Sequence, residues 1–476
     1  MNLDKLNKNL DNFMEYGDYN FINIKLNKEI KDKLLKYQHL HVMNIISALK
    51  SNNVVLDGSD TGVGKTYTSI AACKHLRLKP FIICPKIVIN IWHNVCKYFN
   101  VTPLAIVNYE TIKRGKEYDS DDNRHKSDYV NISYYQNKKN KKKNKKKNIR
   151  CEWRLPRYSI IILDEVHKCK NKNSQNGQLL MSTKYARSKV LMLSATISDT
   201  PKSFHIFGYM LNLYKQMKHA KNWINGKIRE DMNSIGKKKY SSINESIYPD
   251  KGSRIRIADI KNKFPSNQIS ADCYNISEKD ISIVNEEFEK ITHDMTTIKS
   301  KNNSGLILGK IIKSRQKIEI IKLDIIVDLI NKYLENKYNV VVFVNFNKSI
   351  DILTKKFKTT CTIRGGQTTD ERERNINNFQ TNKSNLIICN IKSGGVGISL
   401  HDLHGRPRVS LISPSFSSMN LIQALGRISR AGSKSSSQQR IIYCANTVEE
   451  VICNRIKEKL QFQSKLNDND MINIEK

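Results

Sequence analysis

The sequence predicts an α/β fold of two doubly wound parallel-sheet lobes, and three observations carry that prediction. Short apolar, β-branched runs alternate with segments of helical apolar spacing in two separate stretches of the chain. One such run, Val54 to Leu56, passes through a glycine-rich turn into small, helix-compatible residues, the strand, loop and helix order of an anion-binding loop. Hydrophobic residues make up 39% of the 476, ample material for real cores.

Taken in order, residues 1–30 are polar and irregular and read as an N-terminal extension. The segment KLLKYQHLHVMNIISALK then places Leu34, Tyr37, Val42, Ile45, Ile46 and Leu49 at roughly helical spacing, which predicts a helix or helix pair leading into the Val54 strand. Further strands are predicted at FIIC (81–84), LAIV (104–107), IIIL (160–163) and VLML (190–193), so that residues 31–214 form a first lobe. Ligands of such a lobe sit at the carboxyl ends of the strands. Polar, charged sequence interrupts the alternation at 115–155 and reads as a surface insertion. Within it, KKNKKKNKKK (138–147) carries eight lysines and reads as a solvated loop, with nuclear localisation or nonspecific phosphate contact as the alternatives. Residues 215–320 form a helical and irregular linking region. Strands at NVVVFVNF (339–346), NLIICN (385–390) and RVSLISP (408–414) define a second lobe over 321–465, followed by a tail at 466–476.

A formal charge of +36 points to a polyanionic partner, and nucleic acid is the more economical choice over an acidic membrane surface. The basic character extends well beyond the lysine run. The ten cysteines form no C-x-x-C pair, which predicts neither a zinc module nor a disulfide framework, and so a reduced, intracellular setting. No apolar stretch has the length of a membrane span, and the first residues lack a signal-peptide core.

The stretch SDTGVGKT (59–66) supplies the chemistry of a phosphate-binding loop. Gly62 and Gly64 let backbone N–H groups approach phosphate oxygens, within a loop of Ser59, Asp60, Thr61, Gly62, Val63 and Gly64. Lys65 would reach the β and γ phosphates of ATP, and Thr66 would hold Mg²⁺. The first position of the usual pattern is Ser59 instead of glycine. At the end of the IIIL strand stands DEVHKCKN (164–171), where Asp164 suits the Mg²⁺ shell and Glu165 the attacking water.

With Ser194-Ala195-Thr196 after the next strand and QALGRISR (423–430) in the second half, this ordered set resembles the superfamily 2 helicases and translocases. Within them the SNF2-related branch is the nearest likeness, through ICPKIVINIWHN (83–94), NYET (108–111), KLDIIVDLI (322–330), IRGG (363–366), KSGGVGISL (392–400) and TVEEVICNRI (447–456). The resemblance implies two RecA-like lobes with ATP bound in the interlobe cleft. It implies that Gln38 reads adenine and that Lys65, Thr66, Asp164 and Glu165 form the ATP and Mg²⁺ site. His167 would link that site to Ser194 and Thr196. Gly395 and Gly397 would belong to the second-lobe loop, Gly397 lying close to ATP. Gln423 would join Arg427 and Arg430, the arginine fingers.

The resemblance implies an ATP-dependent helicase or translocase acting on nucleic acid, DNA before RNA, in viral transcription or genome maintenance. Similarity to helicases of large DNA viruses adds a viral factory, host cytoplasm, virion or nucleus as settings. Two other readings stand beside it: an ATP-dependent RNA helicase, and a weak-ATPase scaffold of a transcription or packaging complex. Ser194-Ala195-Thr196 is the general helicase form where the SNF2 branch usually carries Gly-Thr, and Asn390 replaces a common Ser or Thr. Both departures bear on a remodelling role and leave the ATPase set intact.

Overall fold

Strands built largely of apolar residues must be covered on both faces, and each of the chain's two sheets has such strands, β-runs such as Ser159–Asp164 and Asn339–Val344. The computed structural model describes residues 24–119, 123–135, 148–195, 197–198, 201–234, 240–256, 260, 267–298, 304–394, 398–414, 418–430, 432–447 and 449. The chain forms two units, the first ending at Asp259 and the second beginning at Ile260.

The first unit contains β1 (Val54–Asp57), β2 (Lys79–Cys84), β3 (Ala105–Asn108), β4 (Lys116–Tyr118), β5 (Arg124–Lys126), β6 (Val130–Tyr135), β7 (Asn148–Trp153), β8 (Ser159–Asp164), β9 (Lys189–Leu193) and β10 (Gly252–Ser253). Six of them make a wholly parallel sheet in the order β10-β1-β9-β8-β2-β3. The helices Lys36–Ser51, Lys65–Leu76 and Ile89–Tyr98 cover one face, where Val42, Ile45, Leu49, Ile70, Trp92 and Val95 pack on Val55, Ile82, Ile162 and Leu191. Burying each such aliphatic side chain stabilises the unit by about 1.5–3 kcal/mol.

The insertion has more structure than its polar composition announces. It folds as two antiparallel hairpins, β4 with β5 and β6 with β7. The second is built onto the sheet: the Trp153 ring meets Phe81 edge-on at 5.6 Å, its Nε1 donates to Ser182 Oγ at 2.9 Å, and Ile149 N donates to Gln178 Oε1 at 2.7 Å. The lysine run lies outside the described residues.

The second unit contains β11 (Asn267–Tyr274), β12 (Asn339–Val344), β13 (Thr362–Ile363), β14 (Leu386–Asn390), β15 (Arg408–Ile412) and β16 (Ser437–Cys444), again wholly parallel, in the order β11-β16-β15-β12-β14-β13. Alternate residues of β12 serve opposite faces: Val340, Val342 and Val344 join one core, Val341 and Phe343 the other. Two parallel α/β sheets clothed by helices are thus present, as the sequence predicts.

The stretch 215–320, read from sequence as one linking region, divides between the two units. Its first part supplies β10, beside β1, and its second part supplies β11, beside β16. The residues of β11, NQISADCY, carry no apolar run because this edge strand is mostly exposed or half-buried. Side chains fasten it instead: Asn267 Oδ1 accepts from Ser437 Oγ at 2.8 Å and from Gln439 Nε2 at 2.9 Å, and Arg440 pairs with Asp272.

Candidate active site

The phosphate loop owes its shape to two glycines in left-handed backbone, Gly62 at φ 89° and Gly64 at φ 98°. Gly64 is fixed by packing as well, because a Cβ there would lie 2.3 Å from Gln38 Nε2. Gln38 is buried; its Nε2 donates to Val63 O at 2.8 Å and its Oε1 accepts from Leu35 N at 2.9 Å. Tyr37 donates to the same Val63 carbonyl at 3.2 Å, and burial pushes its hydroxyl up to about 12. Both residues therefore brace the loop from the Lys36–Ser51 helix. Lys65 arches back over the loop, its Nζ donating to Ser59 O at 2.7 Å and Asp60 O at 2.9 Å. Thr66 is half-buried in the first turn of the Lys65–Leu76 helix.

Asp164 ends β8. Burial and the charge of Glu165 push its carboxyl up to about 6, against the opposing pull of Trp92, Lys65 and Lys168. Trp92 Nε1 donates to Asp164 Oδ2 at 3.0 Å, and the Tyr109 hydroxyl donates to the Asp164 carbonyl at 2.8 Å. The tryptophan and tyrosine of ICPKIVINIWHN and NYET thus hold the strand end from both sides. Glu165 stands at φ 54°, a left-handed conformation that costs a non-glycine residue of order 1 kcal/mol and is sustained by its surroundings. His167 Nδ1 lies 3.1 Å from Glu165 Oε2 and 3.1 Å from Ser194 Oγ, so one ring joins the two strand ends. Thr196 lies outside the described residues.

In the second unit, Gln423 and Arg427 are buried. Arg427 donates to Gln423 O at 2.7 Å and Ile398 O at 3.1 Å; Arg430 donates to Ser399 Oγ at 2.6 Å and Ile398 O at 2.9 Å. Both guanidinium groups therefore engage the segment that follows residues 395–397. Gly395 and Gly397 themselves lie outside the described residues. Asn390 turns the end of β14, its Oδ1 accepting from Lys392 N and its Nδ2 donating to Asn345 O, each at 3.1 Å.

Sequence reasoning missed a buried polar network behind the loop. His41 Nε2 meets Asp57 Oδ2 at 3.0 Å, while its Nδ1 meets Ser253 Oγ at 2.7 Å, and Asn44 Nδ2 donates to that hydroxyl at 3.2 Å. Burial works against the Asp57 carboxylate, but His41, Lys65 and Ser59 more than offset it and hold its pKa below the usual range. The order Ser, His, Asp evokes a nucleophilic triad, yet all three side chains are buried. Ser59 joins the network: its Oγ accepts from Ile255 N at 2.9 Å and lies 3.3 Å from His41 Nε2. A glycine at this position, as in the usual pattern, would leave the Ile255 amide without that acceptor.

Comparison with known proteins accords with this geometry. The family profile described as "Type III restriction enzyme, res subunit" matches residues 31–199, and "Helicase conserved C-terminal domain" matches 321–432. Over 474 residues the chain is 38% identical to "Putative ATP-dependent RNA helicase L364" of Acanthamoeba polyphaga mimivirus, covering 95% of this chain and 87% of that protein. The chain belongs to the superfamily 2 helicases. As a superfamily 2 helicase it binds nucleic acid and hydrolyses ATP. Among solved structures, "Sulfolobus solfataricus SWI2/SNF2 ATPase core in complex with dsDNA" is 17% identical, with a TM-score of 0.37, covering 93% of this chain and 96% of that one. No helix of the described residues of this helicase is long and apolar enough to cross a membrane.

Proposed function

We propose that the chain hydrolyses Mg²⁺-ATP at the first-lobe site to move along nucleic acid, with duplex DNA as the preferred track, as a translocase of the SNF2-related branch. The observation that carries this reading is the arrangement around the loop: Lys65 at the start of the helix after β1, Asp164 and Glu165 at the end of β8, and His167 joining Glu165 to Ser194 after the neighbouring β9. Lys65 rests on two carbonyl oxygens, places that phosphate oxygens would take over. The Thr66 hydroxyl and the Asp164 carboxylate are hard oxygen donors of the kind Mg²⁺ prefers, and the ion would supply charge neutralisation at the phosphates. Glu165, oriented by His167, would position the attacking water. Arg427 and Arg430 would add charge stabilisation to the transferring phosphoryl group.

A second reading, an RNA helicase, is favoured by Ser194-Ala195-Thr196 and by the printed name of the mimivirus relative. Steady-state ATP hydrolysis by the pure protein, alone and with duplex DNA, single-stranded DNA or RNA, distinguishes the two. Strong stimulation by duplex DNA is expected. Stimulation by RNA alone selects the second reading, and no hydrolysis under any condition defeats both.

A further inference from the structure

The phosphate loop contains a carboxylate. Asp60 sits two residues before Gly62, in a loop whose task is to receive a polyanion, and an uncompensated negative charge there would repel the nucleotide. The structure answers with Arg254, whose Nη2 lies 3.3 Å from Asp60 Oδ1. Both side chains are shielded, the arginine 6% and the aspartate 14% exposed, so solvent screens the pair weakly.

Arg254 reaches this place through a backbone ladder that outlasts the sheet. Leu56, Gly58 and Asp60 donate their N–H groups to the carbonyls of Lys251, Ser253 and Ile255, each at 3.0 Å, and Ile255 N returns a bond to Ser59 Oγ. Segment 251–255 is therefore zipped to the first half of the phosphate loop. Tyr248 closes the far side: a Cβ at Gly58 would fall 1.8 Å from its hydroxyl. Main-chain bonds anchor Asp60 alongside the ion pair.

We propose that Arg254 is a positioning residue for the nucleotide, neutralising Asp60 so that the loop presents a net positive face to the phosphates. It acts on affinity through the aspartate and not by touching ATP. This inference rests on ATP binding at the loop. The test measures the dissociation constant of a fluorescent ATP analogue, and kcat and KM for ATP, in wild type, Arg254→Ala, Arg254→Lys and the Asp60→Asn/Arg254→Ala double variant. Expected are affinity about tenfold weaker and KM correspondingly higher in Arg254→Ala with kcat largely kept, and recovery toward wild type in both Arg254→Lys and the double variant. A double variant no better than Arg254→Ala would overturn the proposal, since direct phosphate contact or loop anchoring would not be rescued by removing the aspartate charge. Arg254→Ala binding like wild type would overturn it equally. If Arg254→Ala fails to fold, Arg254→Lys against Arg254→Gln decides: the lysine must bind the analogue more tightly. Should wild type itself bind no ATP analogue, the nucleotide reading falls and this inference with it.

Discussion

At the scale of single residues, the loop and the DEVH tetrapeptide put different demands on neighbouring side chains. Lys65→Ala removes the cation proposed to meet the phosphates, so nucleotide affinity should fall. Glu165→Gln keeps the shape and loses the charge proposed to orient water, so affinity should persist while turnover drops by roughly 10²-fold or more. Equilibrium binding and single-turnover hydrolysis on the two variants separate these outcomes, and a Glu165→Gln protein with normal turnover would remove the water-positioning role. Lys65, Asp164 and Glu165 were legible in the sequence because strand, turn and carboxylate occur in fixed local order. His41, Asp57 and Ser253 were not: the three are distant in sequence, and no short-range spacing announces a network assembled by the pairing of β1 with β10. Ser59, which read as a departure, serves that network.

Elements tell a similar story with a different cause. Strands buried on both faces were visible as unbroken apolar runs, whereas β11 and the hairpins of the insertion were not, since edge strands and surface ribbons carry polar side chains on an exposed face. The segment from Ile398 to Asp402 offers a test at this scale. His401 is pushed down to about 4, by burial first and then by the charges of Arg430 and Arg408, with Asp402 opposing. Between that value and the ordinary 6.5 the unfolded chain binds more protons than the folded one. Stability from this group is therefore full above about pH 6.5 and is lost as pH falls toward 4. Thermal unfolding across that window should show a shallower acid slope in His401→Asn than in wild type. Equal slopes would mean that other groups govern the acid limb.

For the whole molecule, the net charge of +36 sets how the protein meets its track. Phosphate contacts release counterions, so the nucleic-acid concentration giving half-maximal ATPase stimulation should rise steeply with salt, while unstimulated hydrolysis changes far less. A stimulation constant indifferent to salt would point to recognition without the phosphate backbone. The two-lobe architecture was readable because each half repeats the same strand and helix alternation; the partition of residues 215–320 was not, since chain topology and not composition assigns β10 and β11 to different sheets. Finally, the left-handed backbone of Glu165 sets heat resistance against the role proposed for its side chain. A glycine there would release about 1 kcal/mol of strain while deleting the carboxylate proposed to position water. Laboratory evolution for thermal tolerance alone should therefore drift toward inactive proteins at this codon, and variants chosen for melting temperature must be counter-screened for hydrolysis.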